Sequence, residues 1–404
     1  MKPTLAKGVE DIPVRKQILK GKILKVIRNS FKKYGFNPLQ TPTIERLDVL
    51  TSKFAGGEEI LKEVYSFKDQ GKRELGLRYD LTVGLARFVS QNKDLKFPFK
   101  RYQIGQVFRD GPIKQGRFRE FTQCDGDVIG SSSMYSDAEL LKLASDVFKE
   151  LKIDVTIKVN NRKFLDELIK VNDKEGFILS LDKLEKVGEE SVRKELLGKG
   201  FDKKDVDFVF SNLKLSYDEL KEKFKESFVE IDDLLNYCKM LQVNVEFTPS
   251  LARGLSYYTG TVFEVFLKNS KMTGSVAAGG RYDNMISEFA GQSTPAVGIS
   301  FGLDALMSAL DDYKKESLTK VYVISIGQDK EAIKVMQSLR SKDIRCDFNL
   351  KNLKKGLGFA ASYKIPYCLI IGEEEVKNKK YTLRDMNSGK EKKLDLKEIT
   401  SLLL

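Results

Sequence analysis

Two apolar-rich segments, Phe99 to Phe108 and Phe121 to Ile129, stand on either side of a polar, glycine-containing connection. That arrangement predicts two facing strands joined by an adaptable loop. A second pair lies upstream, where Val64 to Phe67 and Glu74 to Tyr79 flank the Asp69-Gln70-Gly71 turn as in a hairpin. Between Val14 and Tyr34 the period is different. Ile18, Leu19, Ile23, Val26, Ile27 and Phe31 recur at helical spacing until Gly35 stops the pattern, so this stretch predicts an amphipathic helix packed on a core. Short strands and hairpins separated by helices imply an α+β fold around an antiparallel sheet.

From Asn160 to Val243 the chain becomes Lys-, Glu- and Asp-rich and helical, which marks an insertion. Strand character returns at Val245 to Phe247 and Thr259 to Phe266. A glycine-rich turn at Gly279-Gly280 and a strand at Val297 to Phe301 follow. Beyond Lys320 strands and helices alternate: Val321 to Ile326, Lys330 to Ser341, Arg345 to Leu350, Leu353 to Tyr363 and Tyr367 to Ile371, then a polar hairpin. This predicts a small α/β domain with partly parallel pairing. The expected boundaries are 1–159 and 244–318 for the two parts of one domain, 160–243 for its insertion, and 319–404 for the C-terminal domain. A chain of 404 residues is long enough for such a division.

The inventory of side chains narrows the chemistry. There are no histidines, so imidazole nucleophile systems, imidazole bases and histidine metal sites are all excluded. Arginine, carboxylate, tyrosine and backbone groups remain, a set suited to neutralising phosphate charge. Cys124, Cys238, Cys346 and Cys368 are far apart with no CxxC pair, so they predict core packing and not a metal or disulfide framework. The net charge of +12 favours a polyanionic partner such as nucleic acid, because lysine and arginine displace counterions from phosphates. No apolar run is long enough for a bilayer. The polar segment Met1 to Arg15, with two prolines, does not read as a signal peptide, so a cytoplasmic location is expected.

Two constellations stand out. Arg109 ends the first long strand, and Arg117 and Arg119 precede Phe121 on the next, making a fork able to grip phosphates bidentately. Pairing of these arginines with Asp110 and Glu120 is the competing reading. In SLARGLSYYTGTVFEVF, Ser250 to Phe266, Arg253 and Gly254 precede Tyr257 and Tyr258 at the entry to a strand, so one ring is expected on each side of the sheet.

Several blocks in order resemble the histidyl-tRNA synthetase family, in its archaeal and eukaryotic style. Thr41-Pro42-Thr43-Ile44-Glu45 resembles class II motif 1, Phe108 to Gly130 motif 2, and Val297 to Leu306 motif 3. Leu77 to Val83 and Arg253 to Tyr258 are similar to histidine-specific signatures, and YKIPYCLIIGEEEV from Tyr363 resembles an anticodon-binding module. The resemblance implies a class II antiparallel-sheet catalytic domain with a helical insertion, a C-terminal α/β anticodon-binding domain, and activation of histidine by ATP for loading onto tRNA(His). It further implies a homodimer with Pro42 near the interface, and Mg2+ arriving with ATP as substrate.

By the same resemblance Arg109 contacts the α-phosphate and the substrate carboxylate. Arg117 reaches the terminal phosphates, Phe121 stacks on adenine, and Arg253 is a second α-phosphate ligand. Asp80 and Thr82 hold the α-amino group, while Gln123, Asp127, Tyr257, Tyr258 and Tyr282 surround the side chain. Two positions depart from the pattern: Ala305 stands where motif 3 carries an arginine, and Gly111 where motif 2 carries an acid, which leaves Asp110 or backbone groups to recognise adenine. A synthetase-like regulator that binds histidine or tRNA without ligation is the alternative these departures allow. A plain nucleic-acid-binding protein would leave the arginine fork unexplained.

Overall fold

The computed structural model describes residues 3–52, 61–113, 118–253, 257–270, 272, 274–291, 293–310, 317–349 and 352–404. The chain divides into two compact units, Met1–Ile12 with Lys20–Leu310, and Pro13–Leu19 with Asp311–Leu404. Among the described residues no helix is long and apolar enough to cross a membrane.

The first unit is built on an eight-stranded sheet. Its strands are β1 (Asn37–Pro38), β5 (Phe99–Phe108), β6 (Glu120–Ile129), β7 (Val155–Asn161), β8 (Glu246–Phe247), β9 (Thr261–Leu267), β10 (Ala277–Arg281) and β11 (Ala296–Gly302). Their spatial order is β1-β5-β6-β11-β10-β9-β7-β8, antiparallel through the centre and parallel only at the β1-β5 and β7-β8 edges. The two apolar segments pair along their whole length, from Phe99 opposite Ile129 to Phe108 opposite Glu120. A separate three-stranded sheet joins β2 (Ile44–Arg46), β4 (Glu74–Leu77) and β3 (Ser66–Lys68), so the upstream hairpin gains a third strand from the motif 1 region.

Helix α1 (Val14–Lys33) buries Ile23, Ile27 and Phe31, the residues of its apolar stripe, with Phe31 stacked 5.2 Å from the Tyr102 ring on β5. Helix α2 (Thr82–Gln91) packs on the other face of the sheet through Val83, Ala86 and Val89, while α3 (Met134–Leu151) joins α1 on its face, where Phe148 meets Phe301 of β11. Ser133 caps α3 by accepting from the Tyr135 amide, and Lys152 ends it in the left-handed conformation. Between β7 and β8, helices from Arg162–Leu168 to Val229–Met240 pack around their own apolar cluster, in which Phe164, Phe177, Phe210 and Phe228 are fully buried.

The second unit is a mixed sheet ordered β13 (Cys346–Asn349), β12 (Val321–Ser325), β14 (Tyr367–Ile371), β15 (Tyr381–Asp385), β16 (Glu391–Leu394). Strand β12 is parallel to both neighbours and the hairpin is antiparallel. Two helices go beyond the sequence expectation: Glu373–Asn378, which precedes the hairpin, and the terminal Leu396–Leu403, capped by Asp395. Both begin with acidic residues near the positive helix end, a signal easily mistaken for a merely polar loop.

Two expectations about local structure are corrected. Gly279 and Gly280 are not a turn; they lie inside β10, opposite Gly298 and Ile299 on one side and Val262 and Phe263 on the other. A Cβ at Gly279 would collide with the Gly298 carbonyl and the Phe263 ring, so the glycine serves close strand packing instead of chain reversal. Tyr257 and Tyr258 also precede β9, and therefore escape strand alternation. Their rings lie 4.7 Å apart and both face one cavity.

The sheet is tied to the first turn of α3 by a buried ion pair. Arg281 on β10 donates to Asp137, with the side chains 3% and 0% exposed, and to the carbonyls of Ser131 and Ser133. Removing one partner of such a pair strands the other charge in the interior. Arg281→Met or Asp137→Ala is therefore expected to cost about 3–5 kcal/mol in urea denaturation; a loss below about 1 kcal/mol would contradict this account.

Candidate active site

One face of the central sheet carries a cavity of about 1170 Å³ within the first unit. Its floor follows from strand alternation. On β6, Phe121, Gln123, Asp125 and Asp127 are spaced by two and project to the same side, while β10 and β11 contribute Ala278, Gly280, Gly298 and Ser300. Small residues on the two middle strands leave the volume open. Gly298 has a specific reason: a Cβ there would overlap the Asp127 carboxylate.

The polar end is a buried charge network. Arg101 on β5, wholly buried, forms an ion pair with Asp127 at 3.0 Å and donates to the Leu81 carbonyl at 3.1 Å. The Tyr282 hydroxyl donates to the other Asp127 oxygen at 2.5 Å. Burial raises the Asp127 pKa, and Arg101 and Tyr282 oppose the shift. Asp80 accepts from the amides of Thr82 at 3.2 Å and Val83 at 3.1 Å, where it caps the start of α2. Burial raises its pKa too, against the pull of the Val83 amide and Arg109. The most displaced is Asp125, pushed up to about 7 by burial and then by Asp127, with Arg101 and Ser300 acting the other way. Its Oδ1 is buried with no hydrogen-bond partner among the described residues. Asp80, Asp125 and Asp127 thus gather beside Arg101, with Arg109 acting on Asp80, a setting suited to a cationic ligand.

Two further arginines line the same cavity. The Arg109 Nε donates to the Tyr79 carbonyl at 3.0 Å, and its guanidinium lies 5.2 Å from the Phe121 ring centre. Arg253 donates through Nη1 to Glu264 and sits 5.8 Å from the Tyr258 ring. Burial would lower the Arg253 pKa, but Tyr258 and Glu264 outweigh it and the pKa is raised.

Asp80, Thr82, Arg109, Phe121, Gln123, Asp127, Arg253, Tyr257, Tyr258 and Tyr282 all line this one cavity. Arg117 lies outside the described residues, as do Gly254 to Ser256. Arg119, the other arginine of the fork, is engaged by Asp110 at 2.8 Å, so for that residue the ion-pair reading holds. Asp110 is thus paired with Arg119, beside the Gly111 position where the family pattern carries an acid. The carboxylate of Glu63, also on the cavity wall, occupies that place, 2.5–2.9 Å from where a Gly111 Cβ would stand. Ala305 lines the cavity as an uncharged residue, and Lys62 and Lys186 are further cations on its wall.

Four contributors escaped the reading of the sequence. Asp125 carried a signal, its two-residue spacing from Gln123 and Asp127. Arg101, Glu63 and Glu264 carried none, because each matters through a neighbour remote in the chain.

An antiparallel sheet with this cavity on one face, a helical insertion and an α/β C-terminal unit is the architecture of a class II aminoacyl-tRNA synthetase. Residues 8–306 match the family described as histidyl-tRNA synthetase, and residues 320–404 match the anticodon binding domain. The chain belongs to the histidyl-tRNA synthetase family. It is 43% identical to histidine–tRNA ligase 1 of Bacillus anthracis, over 98% of this chain and 99% of that one. It is 40% identical to the histidine–tRNA ligase of Clostridium tetani, over 100% and 98%. The crystal structure of histidyl-tRNA synthetase from Nostoc sp. PCC 7120 superposes with a TM-score of 0.86 at 29% identity, covering 100% of this chain and 99% of that one.

The position of Asp125 gives a pH-dependent expectation. An unfolded aspartate has its pKa near 3.8, and burial pushes Asp125 up to about 7 in the folded chain. Ionising Asp125 therefore opposes folding: the cost is absent below the unfolded pKa, grows between the two values and is complete above about 7. Asp125→Asn is expected to raise the Tm by about 4 °C or more at pH 8 and to leave it unchanged near pH 4. Calorimetry at the two pH values checks this, and equal gains at both would contradict it.

Proposed function

We propose that the chain is a histidine–tRNA ligase that activates histidine with MgATP and transfers it to the 3′ end of tRNA(His). The single observation that supports this most directly is the pairing of two guanidinium groups, Arg109 and Arg253, with a carboxylate-lined recess in one cavity. Asp80, Thr82, Gln123 and Asp125 would receive the α-ammonium group. Asp127, oriented by Arg101 and Tyr282, would accept an imidazole N–H, with Tyr257 and Tyr258 closing the pocket. A ligand without ring nitrogens would leave these buried polar groups unpaired, which is how such a pocket rejects it.

The substrate carboxylate is already ionised and attacks the α-phosphorus without a general base. Arg109 and Arg253 would neutralise the charge that develops as pyrophosphate departs. Phe121, beneath the Arg109 guanidinium, offers its ring to adenine, and Glu63 offers a carboxylate to the exocyclic amine in place of the missing acid at Gly111. Lys62 and Lys186 are the described cations on the cavity wall left to meet terminal phosphates where Ala305 cannot, together with Arg117. Magnesium is read as arriving with the nucleotide, bound mainly through its phosphates. In the second step a non-bridging phosphate oxygen of the adenylate would take the proton from the attacking tRNA hydroxyl.

The basic composition and the anticodon-binding match support tRNA as partner. Exposed Ile44 and Phe67 on the small sheet, near Pro42, support burial in a homodimer, and a cytoplasmic site of action follows from the reaction. The archaeal and eukaryotic style of the motifs finds no support in relatives that are bacterial.

Histidine-dependent exchange of pyrophosphate into ATP is the decisive measurement. The wild type is expected to catalyse it, and Arg253→Ala to lower its rate by about 10²- to 10³-fold. Histidine or tRNA binding without exchange would select the regulator instead. Replacing the non-bridging α-phosphate oxygen by sulfur is expected to slow transfer to tRNA, and an unchanged rate would remove the proposed proton acceptor.

A further inference from the structure

Arg253 lies in a stretch without regular secondary structure, so its backbone does little to aim its side chain. A free arginine side chain gives up rotamer freedom on being fixed, and something must hold it. The partner lies on the neighbouring strand. Glu264, in the middle of β9 and facing the cavity, accepts from Arg253 Nη1, with side-chain exposures of 21% for the arginine and 15% for the glutamate. The same carboxylate oxygen accepts from Ser275 Oγ at 3.1 Å, which fixes the glutamate in turn.

The surroundings reserve Glu264 for this purpose. Its cross-strand partner on β7 is Lys158, the cation that would ordinarily neutralise it. Lys158 instead pairs with Glu185 of the insertion, leaving Glu264 to the arginine. Asp182 of the insertion lines the same cavity and acts on Arg253 electrostatically. The guanidinium is thus tied through Nη1 to Glu264 while it lines the cavity.

We propose that Glu264 is the positioning residue for Arg253, holding its guanidinium where it meets the α-phosphate during adenylate formation. The proposal rests on the reading of this site as the adenylation site. Glu264 touches neither substrate; its effect passes through Arg253, which it aims without moving a proton or exchanging a bond. A displacement of about 1 Å in such a group can cost on the order of 100-fold in rate, and the loss falls on turnover more than on amino-acid binding, because Arg253 is read as meeting the α-phosphate while Asp80, Asp125 and Asp127 are read as holding histidine.

The test is the kinetics of histidine-dependent pyrophosphate exchange in the wild type, Glu264→Ala, Glu264→Gln, Arg253→Ala and the Glu264→Ala/Arg253→Ala double variant. Glu264→Ala is expected to lower kcat by about 30- to 100-fold with the histidine KM changed less than about threefold. Glu264→Gln keeps an acceptor oxygen at the same reach and is expected to recover most of the rate. In the Arg253→Ala background, removing Glu264 is expected to cost less than about twofold more, since its only route of action is gone. Glu264→Ala close to wild type, or a loss that multiplies with that of Arg253→Ala, would overturn the proposal while leaving the ligase reading intact. If Glu264→Ala does not fold, Glu264→Gln with and without Arg253→Ala carries the same comparison. A wild type without exchange would instead defeat the functional reading, and this inference with it.

Discussion

The inner face of β6 sets the central problem of this molecule: Asp125 and Asp127 are buried side by side on the floor of the cavity. Buried carboxylates persist only when paired or when their charge is postponed. Both solutions are present. Asp127 is held by Arg101 and Tyr282, whereas Asp125 has its ionisation pushed up to about 7. The rest of the catalytic unit accommodates this row. Gly298 makes room for Asp127, β5 supplies its counter-ion, and α1 covers the opposite face of the hairpin through Phe31.

Such a row would be an expensive ornament in a purely structural sheet. In the proposed amino-acid pocket it serves as the recognition surface, since the incoming α-ammonium brings a positive charge to meet it. The cavity's other arginines work in the opposite sense. Arg109 and Arg253 are already charged and already seated, so little reorganisation is needed when negative charge develops on phosphorus. A chain with no histidine can run this reaction because the nucleophile arrives ionised and the protein's task is placement.

Much of this is legible in the sequence. The ends of β5 and β14 fall where hydrophobic patterning puts them, because their strands are bounded by clear polar breaks. The residues named from motif resemblance that fall among the described residues gather around one cavity, since each motif is a local segment whose side chains share a face. The misreadings have equally local causes. Gly279-Gly280 resembles a turn because glycine permits both reversal and close strand packing, and composition does not separate them. Placing Tyr257 and Tyr258 on opposite faces assumes that β9 begins before them, and it does not.

By itself the sequence determined the alternation that makes β5 and β6 a hairpin, the helical periodicity of α1, the absence of imidazole chemistry and the order of the family's motifs, all of them properties carried by residues near one another in the chain. Only the tertiary structure decided that Arg101 would face Asp127, that Glu63 would fill the space beside Gly111, and that Glu264 would hold Arg253 while Lys158 turned to the insertion. Those pairings depend on strand register and on which elements cross the sheet. Such choices are made by the burial of the whole fold and leave no mark on the spacing of the residues involved.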